Sequence, residues 1–165
     1  MRSNFDFLDV WPKLQKEAKE AEVYARDIPR YSLLQSSLTL EIAVQEVYRR
    51  SLSTIYPSTL QESLYNKAFK DKLPPKIWLK LDYIRITRNK GVHKSQEVEI
   101  DEALEVLVYL FEFLGWFHTY YSPNLVNTPR FDEKLIPKGN QVEHLKKELN
   151  KLSDELAQMN DLHEK

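Results

Sequence analysis

The chain has 165 residues, 42% of them hydrophobic, a net charge of −1 and no cysteine. That length suits one compact domain plus an appendage, with enough apolar material for a real core. The composition excludes disulfides and a thiolate metal cage, fits a reducing, cytoplasmic setting, and gives the chain as a whole no electrostatic attraction for nucleic acid.

Three glycines, Gly91, Gly115 and Gly139, leave few sites for hairpin turns, so an all-α chain of long helices is expected. The first helix is expected from about Phe7 to Asp27, with Phe7, Val10, Trp11, Leu14, Ala18, Ala21 and Tyr24 on one stripe. Pro12 suits only a first turn, and Pro29 marks the break that follows. A second helix, about Arg30 to Leu52, is apolar over a wide arc that includes Leu34, Leu38, Leu40, Ala43, Val44 and Val47. Glu41 interrupts that arc, so it is either at its solvent edge or paired. Thr59-Leu60-Gln61-Glu62 reads as a capping box opening a short helix.

Pro74-Pro75 opens the next helix, Lys76 to about Lys90. Ile77, Leu81, Ile84 and Arg88 share one face, which turns Arg88 toward a core or a seam. Arg85 is expected to pair with Asp82 one turn away. Gly91 is the expected left-handed residue after the helix end. A further helix is expected from an Asp101 cap to Tyr121, its aromatics serving as packing. Its apolar run, Leu104 to Tyr121, carries Glu105, Glu112 and His118 and reads as a core helix, not a membrane span. Residues 122–138, with Pro123, Pro129 and Pro137, read as a linker. From 139 to 165, Val142, Leu145, Leu149, Leu152, Leu156 and Met159 alternate three- and four-residue spacings, an a/d coiled-coil seam of barely three heptads that needs a partner helix. Residues 1–121 are then the helical bundle.

Charge is unevenly placed. Lys67 to Lys94 holds nine basic and two acidic residues, a net +7, and the following Glu97, Glu99, Asp101, Glu102, Glu105 and Glu112 reverse it. Lys76, Lys80, Arg85, Arg88, Lys90 and Lys94 are the candidate nucleic-acid contacts, and pairing between basic and acidic helices is the competing expectation. No Gly-rich phosphate loop, His-x3-His pair, nucleophile elbow or strand-borne carboxylate cluster is present, so neither a metal nor a cofactor is expected.

Arg88-Asn89-Lys90-Gly91-Val92-His93 remains. Its Arg-x4-His spacing is short, so context carries it: a helix C-terminus, a polar residue after the Arg, an all-helical chain and a basic segment. This combination resembles the HEPN superfamily, small four- or five-helix bundles with such a motif. The resemblance implies that Arg88 and His93 would be catalytic and Asn89 supporting, in a metal-independent ribonuclease acting as a dimer. His93 would move a proton, Arg88 would hold phosphate, and the RNA 2′-OH would be the nucleophile.

A wider resemblance lies in Phe5 to Ala21 with Trp11-Pro12, Leu40-Glu41-Ile42-Ala43-Val44, Ile77-Trp78, Asn89-x-x-Val92-His93, and Phe131-Asp132 with Leu135-Ile136-Pro137. These look like the N-terminal helical domain of type I restriction enzyme R subunits, followed there by a proline-bearing linker and a coiled coil. That family commonly has Gly immediately before the Asn, where this chain has Arg88, and an Arg three residues earlier that matches Arg85. The resemblance implies a module of restriction or anti-phage defence that contacts nucleic acid or sister subunits and is not catalytic alone. A structural dimeriser, with a homodimer built on the coil and the aromatic helix, is the third reading.

Overall fold

The structure, a computed structural model, describes residues 2–93, 95–124, 127–139 and 141–164, with side chains described for all of these except 141–146 and 160–164. It is all-helical, with no strand among the described residues. The helices are α1 (Pro12–Tyr24), α2 (Pro29–Ser51), α3 (Leu60–Tyr65), α4 (Lys67–Lys72), α5 (Pro75–Val92), α6 (Ile100–Tyr121) and α7 (Gln141–Glu164). No helix among the described residues is long and apolar enough to cross a membrane.

Local chemistry places most ends. Prolines occupy the first turn of α1, α2 and α5, where their missing N–H costs nothing. Thr59 accepts a hydrogen bond from Glu62 N at 3.1 Å and caps α3, which is one half of the expected capping box; the return bond from Thr59 N to the Glu62 side chain is not made among the described residues. Asn66 then ends α3 and caps α4 by accepting from Phe69 N at 3.1 Å, which splits one expected short helix into two. The cap of α6 is Glu99, not Asp101: Glu99 and Glu102 form a reciprocal capping box, and Asp101 falls in the first turn beside the positive end of the helix dipole.

α2 is the central helix, packing on α1, α5 and α6. It runs antiparallel to α1: Ser32 Oγ donates to Ala21 O at 2.7 Å, and Gln35 Nε2 donates to Glu17 nearer the start of α1. Ala18, Ala21 and Ala25 and Ser32, Ser36 and Ser37 are all buried, and the Ser32–Ala21 contact sets two small side chains where the helices meet. Leu38, expected within the apolar arc of α2, is 45% exposed instead, while its chain neighbours Ser37 and Thr39, which project to either side of it, are buried. The core between α2, α5 and α6 holds Leu33, Leu40, Val44, Leu81, Ile84, Leu107, Phe113 and Phe117, all fully buried. Each contributes about 1.5–3 kcal/mol of hydrophobic stabilisation. Tyr48 OH donates to Ser63 O at 2.6 Å and Trp78 Nε1 donates to Leu64 O at 2.7 Å, which ties α3 to both α2 and α5.

The stretch between α6 and α7 packs back on the bundle. Phe131 meets Phe111 edge-on at 5.3 Å, and Ile136 is buried. Asn4 clasps Asp132, accepting from its N at 2.6 Å and donating to its O at 2.9 Å, and also donates to the buried Glu22 carboxylate. Arg26 donates to Ile136 O at 2.7 Å and pairs with Glu133. A 3-10 turn at Glu133–Leu135 satisfies only part of this segment's backbone, and the contacts from Asn4 and Arg26 supply partners for the Asp132 N–H and the Asp132 and Ile136 carbonyls.

Candidate functional site

The 88–93 element closes α5 against α2. Arg88 lies at the edge of the Leu81–Ile84 stripe, and its Nη1 donates to Glu41 Oε1 at 3.0 Å, each side chain 31% exposed. Glu41 is thus paired, the second of the two states that a carboxylate in an apolar arc can adopt. The Arg88 Nε is buried and has no hydrogen-bond partner. Tyr56 lies in the field of this pair: burial pushes its phenol up, a Ser63 hydrogen bond opposes that, and Glu41 and Arg88 act in opposite senses.

Gly91 corrects an expectation. It is not left-handed; α5 continues through it to Val92, and the one positive-φ glycine among the described residues is Gly139, at 88°. Gly91 is small because α2 crosses there: an added Cβ would lie 3.0 Å from a Leu34 methyl and 3.3 Å from one on Leu33. The orphan carbonyls at the end of α5 are satisfied by a side chain instead of a glycine turn. Arg30, from the first turn of α2, donates through Nη1 to Lys90 O at 3.0 Å, Gly91 O at 2.8 Å and His93 O at 3.1 Å, and through Nη2 to Gln96 O. A guanidinium carries a fork of donors and a full positive charge, and both suit the negative end of a helix dipole. Nothing in the local pattern around Arg30 signals this role, because its partners lie sixty or more positions away.

Asn89, Lys90, Val92 and His93 are exposed at this corner. Among the described residues no hydrogen bond joins Arg88, Asn89 and His93 to one another, and none holds the His93 imidazole. The three side chains share one helix end, and within one chain they are not organised as an acid–base pair around a reacting phosphate.

The basic segment is largely answered within the fold. Lys80 pairs with Glu112, Arg85 with Asp82 at 2.9 Å, Arg88 with Glu41, and Lys90 with Glu102 at 2.8 Å. The Lys90 contact holds the Glu102 carboxyl below its usual range. Arg85 thus has the partner expected one turn away; Tyr65 OH also donates to Asp82, at 2.9 Å. Lys70 and Lys72 lie over the Trp78 and Tyr120 rings, at 4.1 and 4.9 Å. Lys76 is exposed and makes no ion pair among the described residues, and Lys94 lies outside the described residues. The competing expectation, that basic and acidic helices pair, therefore describes α5 against α2 and α6.

His118 is fully buried; its Nδ1 accepts from Trp11 Nε1 at 3.2 Å, and its ring meets Phe7 at 5.5 Å, a structural role. The side chains of His144 and His163 lie outside the described ones. No three His, Cys, Asp or Glu residues among the described ones converge to hold a metal ion.

On α7, Leu149, Leu152, Leu156 and Met159 are 66%, 54%, 54% and 55% exposed. The side chains of Val142 and Leu145, the other two seam residues named above, lie outside the described ones. The described part of the seam is therefore bare in the single chain. Compared with protein-family models, with curated proteins and with solved structures, the chain matches none.

Proposed function

We propose that the chain is a helical interaction module of a restriction or anti-phage system, one that contacts sister subunits or neighbouring domains and does not cut nucleic acid alone. The restriction-system part is supported by the sequence resemblance. The interaction part is supported by one observation: the cations of α5 face carboxylates of their own fold, while the apolar seam of α7 faces solvent. A phosphate approaching Arg88 or Lys90 competes with Glu41 or Glu102, so the net attraction is far smaller than the +7 of the segment implies. Bare apolar surface, by contrast, marks a protein contact.

Titration of a single-stranded RNA and a duplex DNA oligomer at several salt concentrations tests this. Weak binding with a shallow dependence on salt is expected. The reading fails if the slope corresponds to about four or more phosphate contacts and drops by about one for each of Lys76→Ala, Arg88→Ala and Lys90→Ala.

The ribonuclease reading has one observation in its favour: Asn89 and His93 are exposed beside Arg88, whose guanidinium carries more donors than Glu41 takes up. It requires RNA cleavage that survives EDTA and disappears in both Arg88→Ala and His93→Ala.

A further inference from the structure

We infer that the partner of α7 is α7 of a second copy, paired parallel and in register. This rests on the interaction-module reading and names its partner. Val142, Leu149 and Leu156 recur every seven residues, as do Leu145, Leu152 and Met159. A strict seven-residue repeat drifts around a straight helix and stays on one line only when two helices wrap around each other, so the spacing fits another helix of the same repeat better than a flat surface. The described side chains of 147–159 are all exposed, so no described part of the bundle covers them.

The flanking charges choose the direction of the pairing. With Val142 at an a position, Glu148 and Glu155 fall at g and Ser153 at e. In a parallel pair each g residue lies beside the e residue of the next heptad on the other helix, which sets Glu148 against Ser153 and Glu155 against Asn160. In an antiparallel pair that keeps all six apolar positions matched, Glu148 lies beside Glu155 of the other copy, and symmetry repeats the repulsion. Lys146, at e, then lies beside Ser153 and offsets nothing. The parallel arrangement has no like-charge contact across the seam.

The chain has no native cysteine, so one introduced thiol reports geometry cleanly. In the parallel pair Met159 faces Met159 of the second copy, within the Cα separation of about 4.4–6.8 Å that a disulfide spans. In the antiparallel pair the two positions stand about 25 Å apart along the axis. The full chain should sediment as a concentration-dependent dimer. Met159→Cys should give a covalent dimer on mild oxidation, and Leu152→Glu should abolish both while the thermal melt of the bundle stays unchanged. A chain that remains monomeric at every concentration overturns the pairing. So does a dimer in which Met159→Cys fails to cross-link to itself while a mixture of Val142→Cys and Met159→Cys chains links. Neither result touches the nucleic-acid titration, which decides the broader reading separately.

Discussion

Arg30→Ala should loosen the end of α5 and lower the stability of the whole bundle. The guanidinium has four carbonyl acceptors, but the two N–H groups of Nη1 serve three of them, so with the Nη2 bond the cage amounts to at most three full hydrogen bonds. A hydrogen bond to a charged group contributes about 1.5–3 kcal/mol where water cannot replace it. Only the Gly91 carbonyl contact is partly buried; the other three are exposed, so water restores much of what is lost there. A cation at a helix C-terminus adds about 0.3–1 kcal/mol. The sum is a loss of about 2–3 kcal/mol, or a Tm lower by roughly 5–10 °C for a chain of this size. Urea unfolding followed by tryptophan fluorescence measures the first, and hydrogen exchange over 88–98 should show faster exchange confined at first to that corner. Arg30→Lys keeps the charge without the fork, so about half the loss should return. A cost below about 0.5 kcal/mol with unchanged exchange would refute the idea that Arg30 holds the motif in place.

Other changes probe the same framework. A double-mutant cycle on Glu41→Ala and Arg88→Ala should give a coupling of about 1–2 kcal/mol, between the exposed and buried extremes for ion pairs. Of the two single changes Glu41→Ala should cost more, because it strands the Arg88 guanidinium with its buried Nε; the reverse ranking in urea unfolding would contradict this. Ser36 and Ser37 bury hydroxyls without a hydrogen-bond partner inside α2. Ser36→Ala should therefore raise stability by up to about 1 kcal/mol in the same assay, since alanine removes an unsatisfied group and favours the helix. In alkali the molecule should weaken: burial pushes the Tyr48 phenol up to about 12. The unfolded chain releases that proton near 10, so from about pH 10 to 12 the folded state binds more protons and stability falls as pH rises. Tyr48→Phe should flatten that part of the slope in unfolding midpoints measured against pH. It should also cost about 1 kcal/mol near neutrality for the Ser63 carbonyl left without its donor.

The elements of this protein were legible in its sequence because their causes are local. Pro12 and Pro75 mark helix starts through a missing N–H and Pro29 marks a break, Thr59 caps by accepting from an N–H three positions away, and the α5 stripe follows from a 3.6-residue period. The Arg85–Asp82 pair was legible for the same reason, since one turn separates the two. What a residue faces from another helix was not. The sequence placed Arg88 on an apolar stripe and marked Glu41 as edge or paired, but joining them required α2 and α5 to pack antiparallel across 47 positions. Gly91 carried a turn signal that a tertiary contact overrode: Arg30 satisfied the carbonyls, and the approach of Leu33 and Leu34 used the missing Cβ for space instead of for a left-handed turn. The +7 of residues 67–94 was likewise a property of the chain, whereas the field it presents to a ligand depends on Glu41, Glu102 and Glu112 arriving from α2 and α6. Periodicity and capping act over a few bonds and can be read in one dimension. Charge compensation and close helix crossing depend on which distant residues share a space, and only the folded chain fixes that.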